Sequence, residues 1–252
     1  MAAVDITIPE APVEKVAASN EAKKAGKTLV QRVVQGMGGA ARIDAVESIS
    51  STSKAVATTP QGELEIKSVL LLEFPDRFRQ DLTLPFGTLS TVLTGDDAFI
   101  TSPQGARDMP ASQKETSIKS MLRMPLVMFK HRHHDSFSAL AAGKTKIDGQ
   151  PRDLLQVELQ GEVTTLAIDP ISGHIVRMTY QGQDFTGAHG EVIQDFSDFR
   201  EVDGLAFAFK TQQAFNGKPF VESTVQELKL NQPIAADAFA RPEAVTAQKG
   251  GK

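Results

Sequence analysis

The chain has 252 residues, 40% of them apolar, which is enough for a substantial core; antiparallel barrels and half-barrels of about 200–250 residues commonly form one domain. Its 27 basic and 31 acidic residues are mixed along the sequence and leave a net charge of −4, so there is no electrostatic footprint for phosphates and nucleic acid is not an expected partner. With no cysteine, disulfides, thiolate metal sites, a cysteine nucleophile and a lipidated N-terminal cysteine are all excluded.

Residues 1–18, with Pro9 and Pro12, read as a linker-like segment, residues 19–242 as a single β-rich domain, and residues 243–252 as a disordered tail. Met1 to Glu10 lack the charged-then-apolar order of a secretory signal, so the expectation is a protein that stays inside or a piece whose leader is missing. No apolar run approaches the roughly 18 residues of a membrane span, so no transmembrane segment is expected. From Ala22 the apolar positions Ala25, Leu29, Val30, Val33, Val34 and Met37 recur at helical spacing. Ser19 or Asn20 can cap this helix and Gly38-Gly39 can stop it, with a shorter turn around Ile43 and Val46.

From Ser48 the period becomes two. Leu64, Ile66, Leu70 and Leu72 stand against Glu63, Glu65, Lys67 and Glu73, and Phe78, Leu82 and Leu84 against Arg77, Arg79, Asp81 and Thr83. Pro60-Gln61-Gly62, Pro75-Asp76, Phe86-Gly87 and Gly95-Asp96 are plausible reversals, and such short connections imply antiparallel neighbours. A helical interruption follows. Ser112-Gln113-Lys114-Glu115 has capping-box spacing, Ile118, Met121 and Leu122 continue the face, and Pro125 breaks it before a second turn over Leu126 to Phe129. After Gly149 the strands resume, with Asp203-Gly204 and Asn216-Gly217 as hairpin signals because both tolerate positive φ. The expected fold is mainly β: a large curved antiparallel sheet or half-barrel of about 10–12 strands, covered by the N-terminal helix and the broken central helix.

His131-Arg132-His133-His134-Asp135 puts three imidazoles and a carboxylate within five residues, and a metal-assisted hydrolase using His131, His133, His134 and Asp135 is the enzymatic alternative. The segment follows a helix, where cations favour the negative end of the dipole, and Arg132 would repel a metal, so a basic solvated loop is the favoured reading. Glu162 and Asp96-Asp97 read as ordinary turn chemistry, and His174 and His189 as lone turn histidines. Gly-x-Ser-x-Gly, His-Glu-x-x-His and a phosphate-cradling glycine loop do not occur, so no catalytic residue and no cofactor is expected. Met121, Met124 and Met128 are spaced three and four apart in a broken helix between two strand blocks, and such polarizable side chains suit a lid that fits variable apolar shapes.

The order of elements resembles the LolA-like outer-membrane lipoprotein carriers. The strings that carry this are Gly38-Gly39 after the first helix, Phe74-Pro75-Asp76-Arg77-Phe78-Arg79-Gln80, Asp169-Pro170-Ile171-Ser172-Gly173, Asp198-Phe199-Arg200-Glu201-Val202-Asp203-Gly204 and Phe239-Ala240-Arg241-Pro242. Gly105 to Gln113 is also similar to domains appended C-terminally to bacterial insulinase-type zinc peptidases. This chain has no His-x-x-Glu-His or inverted equivalent, so peptidase activity does not carry over.

The resemblance implies a hollow half-barrel in the periplasm or cell envelope that takes up lipid or the acyl chains of a lipoprotein. Leu70, Leu72, Phe78, Leu82 and Leu84 would form its walls and Met121, Met124, Leu126 and Met128 its lid. The non-enzymatic alternative is an accessory scaffold without a ligand, packed on a peptidase-like polypeptide.

Overall fold

A computed structural model describes residues 16–95 and 97–242; the linker and tail readings of 1–15 and 243–252 lie outside the described residues. Helix α1 (Asn20–Gly36) starts where Ser19 accepts a hydrogen bond from the Ala22 amide (3.0 Å), satisfying one of the donors that a helix N-terminus leaves free. It ends as expected at Gly38 and Gly39, both at positive φ, and is followed by α2 (Ala40–Asp44). The buried stripe of α1 is Leu29, Val33 and Val34. Close approach is built into it: a Cβ at Gly26 would stand 2.3 Å from the Ala139 carbonyl oxygen.

The first strand block is β1 (Ser48–Thr59), β2 (Gly62–Glu73), β3 (Arg77–Leu84), β4 (Gly87–Thr94), β5 (Asp97–Ser102) and β6 (Gly105–Asp108). Helices α3 (Ala111–Leu122) and α4 (Pro125–Lys130) follow. The second block is β7 (Ser138–Ile147), β8 (Gln150–Leu159), β9 (Glu162–Ile168), β10 (Ile175–Gln183), β11 (His189–Val202), β12 (Leu205–Phe215) and β13 (Lys218–Leu230). The thirteen strands exceed the expected range by one; the short, wholly exposed β6 has no apolar face from which it could be read.

All strands belong to one open, curved antiparallel sheet in the order β6-β5-β4-β3-β2-β1-β13-β12-β11-β10-β9-β8-β7. Each block is a simple meander, with consecutive strands paired as antiparallel neighbours. Asp203 and Gly204 (φ 51° and 77°) and Asn216 and Gly217 (φ 45° and 75°) supply the paired positive φ that two-residue hairpin turns need. The blocks join in the middle, where β1 pairs with β13 from Ile49 opposite Leu230 to Ala57 opposite Val221.

This topology dictates the place of the central helices. The β6–β7 connection starts at one edge of the sheet and ends at the other, so α3 and α4 must cross a face of it, and a curved sheet buries most apolar surface when they cross the hollow one. Register slips at Thr52/Ser53 and Ala141/Lys144 are of the kind that bends a sheet. The main core is continuous across the hollow: Leu72 and Phe78 from one block, Leu155, Leu166 and Met178 from the other, with Leu126, Val127, Met128 and Phe129 of α4 between them.

Two local expectations are corrected. Ser112 does not cap α3: Pro110 holds the cap position, its carbonyl accepts from the amides of Gln113 and Lys114 (both 2.9 Å), and Ser112 already lies inside the first turn. Glu115 therefore turns outward and pairs with Lys119 (2.8 Å). Glu162 is not an exposed turn residue but opens β9 with only 9% of its surface accessible.

Candidate functional site

Two adjoining hollows lie between the concave face and the helical crossing. One, about 580 Å³, is walled on the β3 side by Phe78, Gln80 and Leu82, and on the opposite side by Tyr180, Val192, Gln194 and Gln213. The other, about 220 Å³, is more apolar and is walled by Ile49, Leu126, Phe207 and Leu228, with Met37 from the end of α1. They share Leu70, Met124, Pro125 and Phe196, so the corner between α3 and α4 forms the roof of both. That corner exists because proline disfavours helical geometry in the preceding residue: Met124 sits at ψ 124°, and Pro125 opens α4 where its missing N–H costs nothing.

Of the expected wall and lid residues, Leu70, Phe78, Leu82, Met124 and Leu126 line these hollows. Leu72 and Met128, each 2% exposed, are packed into the solid core instead. Met121 is half-buried against that core. Leu84 is half-buried at the far end of β3, opposite Gly87. The difference between Leu70 and Leu72 is one of position along β2: Leu72 is paired with Phe78 in the packed core, whereas Leu70, two residues away, is opposite Gln80.

The crossing is anchored by a polar cluster. Arg123, the C-cap residue of α3, donates from Nη1 to Glu162 Oε1 (2.8 Å) and from Nη2 to Ser120 Oγ (3.0 Å), and its guanidinium lies 4.1 Å from the centroid of Tyr180. The side chains of Arg123 and Glu162 are 12% and 10% exposed, so this is a buried pair holding α3 to β9 and β10. Burial pushes the Tyr180 phenol above its ordinary pKa, so it is neutral throughout the physiological range. The one signal in the sequence was a lone arginine inside the apolar run Met121 to Phe129; its partner, 39 positions away, gave none.

The basic loop does not assemble as a metal site. The Nδ1 of His131 lies 2.8 Å from the Val127 carbonyl and that of His134 2.7 Å from Ser136 Oγ. Arg132 reaches back to both carboxylate oxygens of Asp44 (2.7 and 2.6 Å), locking α2 against the end of α4 and holding the Asp44 carboxyl below the usual range. Among the described residues no cluster of three His, Asp or Glu side chains is arranged to hold a cation. His174, by contrast, has a structural place that its sequence position did not suggest: its ring stacks on Phe199 (centroids 4.1 Å apart) on the wall of the smaller hollow, and burial keeps its pKa below the ordinary histidine value.

A larger hollow, about 910 Å³, lies between α1 and the β7–β8 hairpin. Lys23 and Lys27 of α1 and Glu158 of β8 lie on its wall beside Val30, Val34, Phe137 and Leu140, and none of its lining residues belongs to α3 or α4. What sets the two hollows beneath the crossing apart is their common roof, the corner between α3 and α4, which this one lacks. No helix among the described residues is long and apolar enough to cross a membrane.

No family model matches the sequence, and no curated protein matches it either. Solved structures do match. A DUF1329 family protein from Desulfovibrio piger superposes with a TM-score of 0.58 at 14% identity, over 86% of this chain and 97% of that one. A LolA superfamily protein from Nitrosomonas europaea gives 0.58 at 10% identity, and a putative outer membrane lipoprotein-sorting protein domain from Vibrio parahaemolyticus 0.56 at 11%, both with the same coverage. The architecture of this chain is the LolA-like fold.

Proposed function

We propose that this domain is a noncatalytic acyl-chain binder of the cell envelope, which holds lipid or the acyl groups of a lipoprotein between the curved sheet and the α3–α4 crossing. The observation that carries the reading is the pair of hollows meeting under Met124-Pro125, apolar in the smaller and amphipathic in the larger. The larger, at about 580 Å³, falls in the range of about 300–1,000 Å³ usual for small-molecule sites. Each methylene buried there contributes about 0.8 kcal/mol, so one alkyl chain gives useful affinity without a charged anchor. The likeness to a putative outer membrane lipoprotein-sorting protein domain from Vibrio parahaemolyticus supports the same reading, and with it a periplasmic or envelope location. The test is organic extraction of protein purified from its native host, followed by mass spectrometry. Copurifying lipid in near-stoichiometric amount is expected; protein that carries none and takes up no fluorescent fatty acid counts against the proposal.

One observation favours the alternative, an accessory scaffold without a ligand that packs on a peptidase-like polypeptide. The edge strand β6, within the segment that resembles peptidase-appended domains, is exposed throughout, and an unpaired strand edge is a template for another chain. Co-purification with a peptidase-like polypeptide that is lost when Ala106 or Arg107 is replaced by proline tests it.

A further inference from the structure

We infer that the larger hollow selects an uncharged, hydrogen-bonding amphiphile of the glyceride class over one whose head group carries a net charge. This rests on the acyl-chain reading and adds the chemistry of the head group. Among the described residues Arg123 is the one charged side chain on the wall of this hollow, and its charge is already matched by Glu162 directly behind it (2.8 Å). An entering carboxylate would give up its water shell and meet a guanidinium whose fork is held by a fixed carboxylate of the same sign as itself. An entering cation would meet Arg123 with no free counter-charge.

What the walls offer instead is neutral donors and acceptors. Gln213 Nε2 donates to Gln194 Oε1 (3.2 Å) across the β11–β12 pair, which leaves one amide NH2 and one amide carbonyl of that couple without a partner whichever way the two are turned. Gln80, on β3 at the opposite wall, makes no side-chain hydrogen bond to a described residue. Amides of this kind, at the end of a trough that continues as Leu70, Phe196 and the apolar smaller hollow, match hydroxyl and ester groups at the head of an alkyl chain. The three glutamines are half-buried, and an occupant that covered their amides without pairing them would be penalised, so they discriminate as well as bind.

The experiment displaces the apolar fluorescent probe N-phenyl-1-naphthylamine with chain-matched 1-monolaurin and laurate at pH 8, where laurate is ionised. Monolaurin is expected to compete at a concentration at least about ten-fold lower than laurate, a difference of about 1.4 kcal/mol. In Glu162→Gln the guanidinium is released for an incoming anion, and laurate should improve by about ten-fold while monolaurin changes by less than about three-fold. Laurate equal to or better than monolaurin on the wild type overturns the inference while leaving acyl-chain binding intact, as does a folded Glu162→Gln whose preference is unchanged. If the probe itself does not bind, or neither compound displaces it, the acyl-chain reading falls and this inference with it. The wild-type comparison decides even if the variant does not fold.

Discussion

Removing the guanidinium of Arg123 should weaken the fold far more than the loss of a surface ion pair would. Arg123→Met keeps the apolar stem and deletes the charge, leaving the Glu162 carboxylate, 10% exposed, without its cationic partner under α3. Exposed pairs contribute about 0–1 kcal/mol, whereas taking one partner from a buried pair costs about 3–5 kcal/mol because the other charge is left uncompensated. Both side chains keep a tenth of their surface in contact with solvent and Arg123 also loses its place over Tyr180, so the expected cost is about 3 kcal/mol, at the lower end of that range. Arg123→Met combined with Glu162→Leu should recover to within about 1 kcal/mol of the wild type, since the buried charge goes with its partner. The chain has no tryptophan and a single tyrosine, so urea unfolding is best followed by far-ultraviolet circular dichroism. A single-variant cost below about 1 kcal/mol, or a double variant less stable than the single, refutes the view that this pair is buried and couples the crossing to the sheet.

Gly26→Ala drives a methyl into the Ala139 backbone and should lower stability by about 1–3 kcal/mol, read as a drop in the guanidinium midpoint; an unchanged midpoint would mean that α1 does not pack so closely on β7. Leu70→Trp fills the wall common to both hollows, so N-phenyl-1-naphthylamine should bind at least about ten-fold more weakly while the circular dichroism spectrum is kept; undiminished binding would place the probe elsewhere. His174 gives a pH signature. Its folded pKa is lowered by burial, so the unfolded chain binds the extra proton; its contribution is fully favourable above the unfolded value of 6.5 and is lost as pH falls from there toward the folded value. His174→Phe, which retains an aromatic ring against Phe199, should flatten the stability profile just below pH 6.5, and identical slopes in the two proteins would contradict this assignment.

The strands and hairpins were legible because each is a local pattern. Leu64 and Ile66 alternate with Glu63, Glu65 and Lys67, and Asp203-Gly204 and Asn216-Gly217 are turns whichever strands they join. Resemblance added the global order, a curved sheet with a helical crossing, although no local rule specifies that Ile49 pairs with Leu230. The site was only partly legible for the same reason. Period two puts Leu70 and Leu72 on one face of β2, but depth along a strand has no periodic signature, and depth alone makes Leu70 a wall and Leu72 core. Gln80, Gln194 and Gln213 were invisible because an isolated glutamine on a strand reads as a solvated position; only the curvature of the sheet turns all three toward one hollow. Ser112 misled because a capping box is defined by spacing, while the cap belongs to whichever residue last holds extended backbone, here Pro110.

The seven methionines provide the most direct test of where a guest sits. In a carbon-13 methyl spectrum titrated with 1-monolaurin, Met124, on the roof of both hollows, and Met37, on the wall of the smaller, should shift and show cross-relaxation to the alkyl chain. Met128 and Met178, 2% and 1% exposed in the packed core, should show none. Saturating monolaurin that leaves Met124 and Met37 unmoved would contradict an acyl-chain site beneath the α3–α4 crossing.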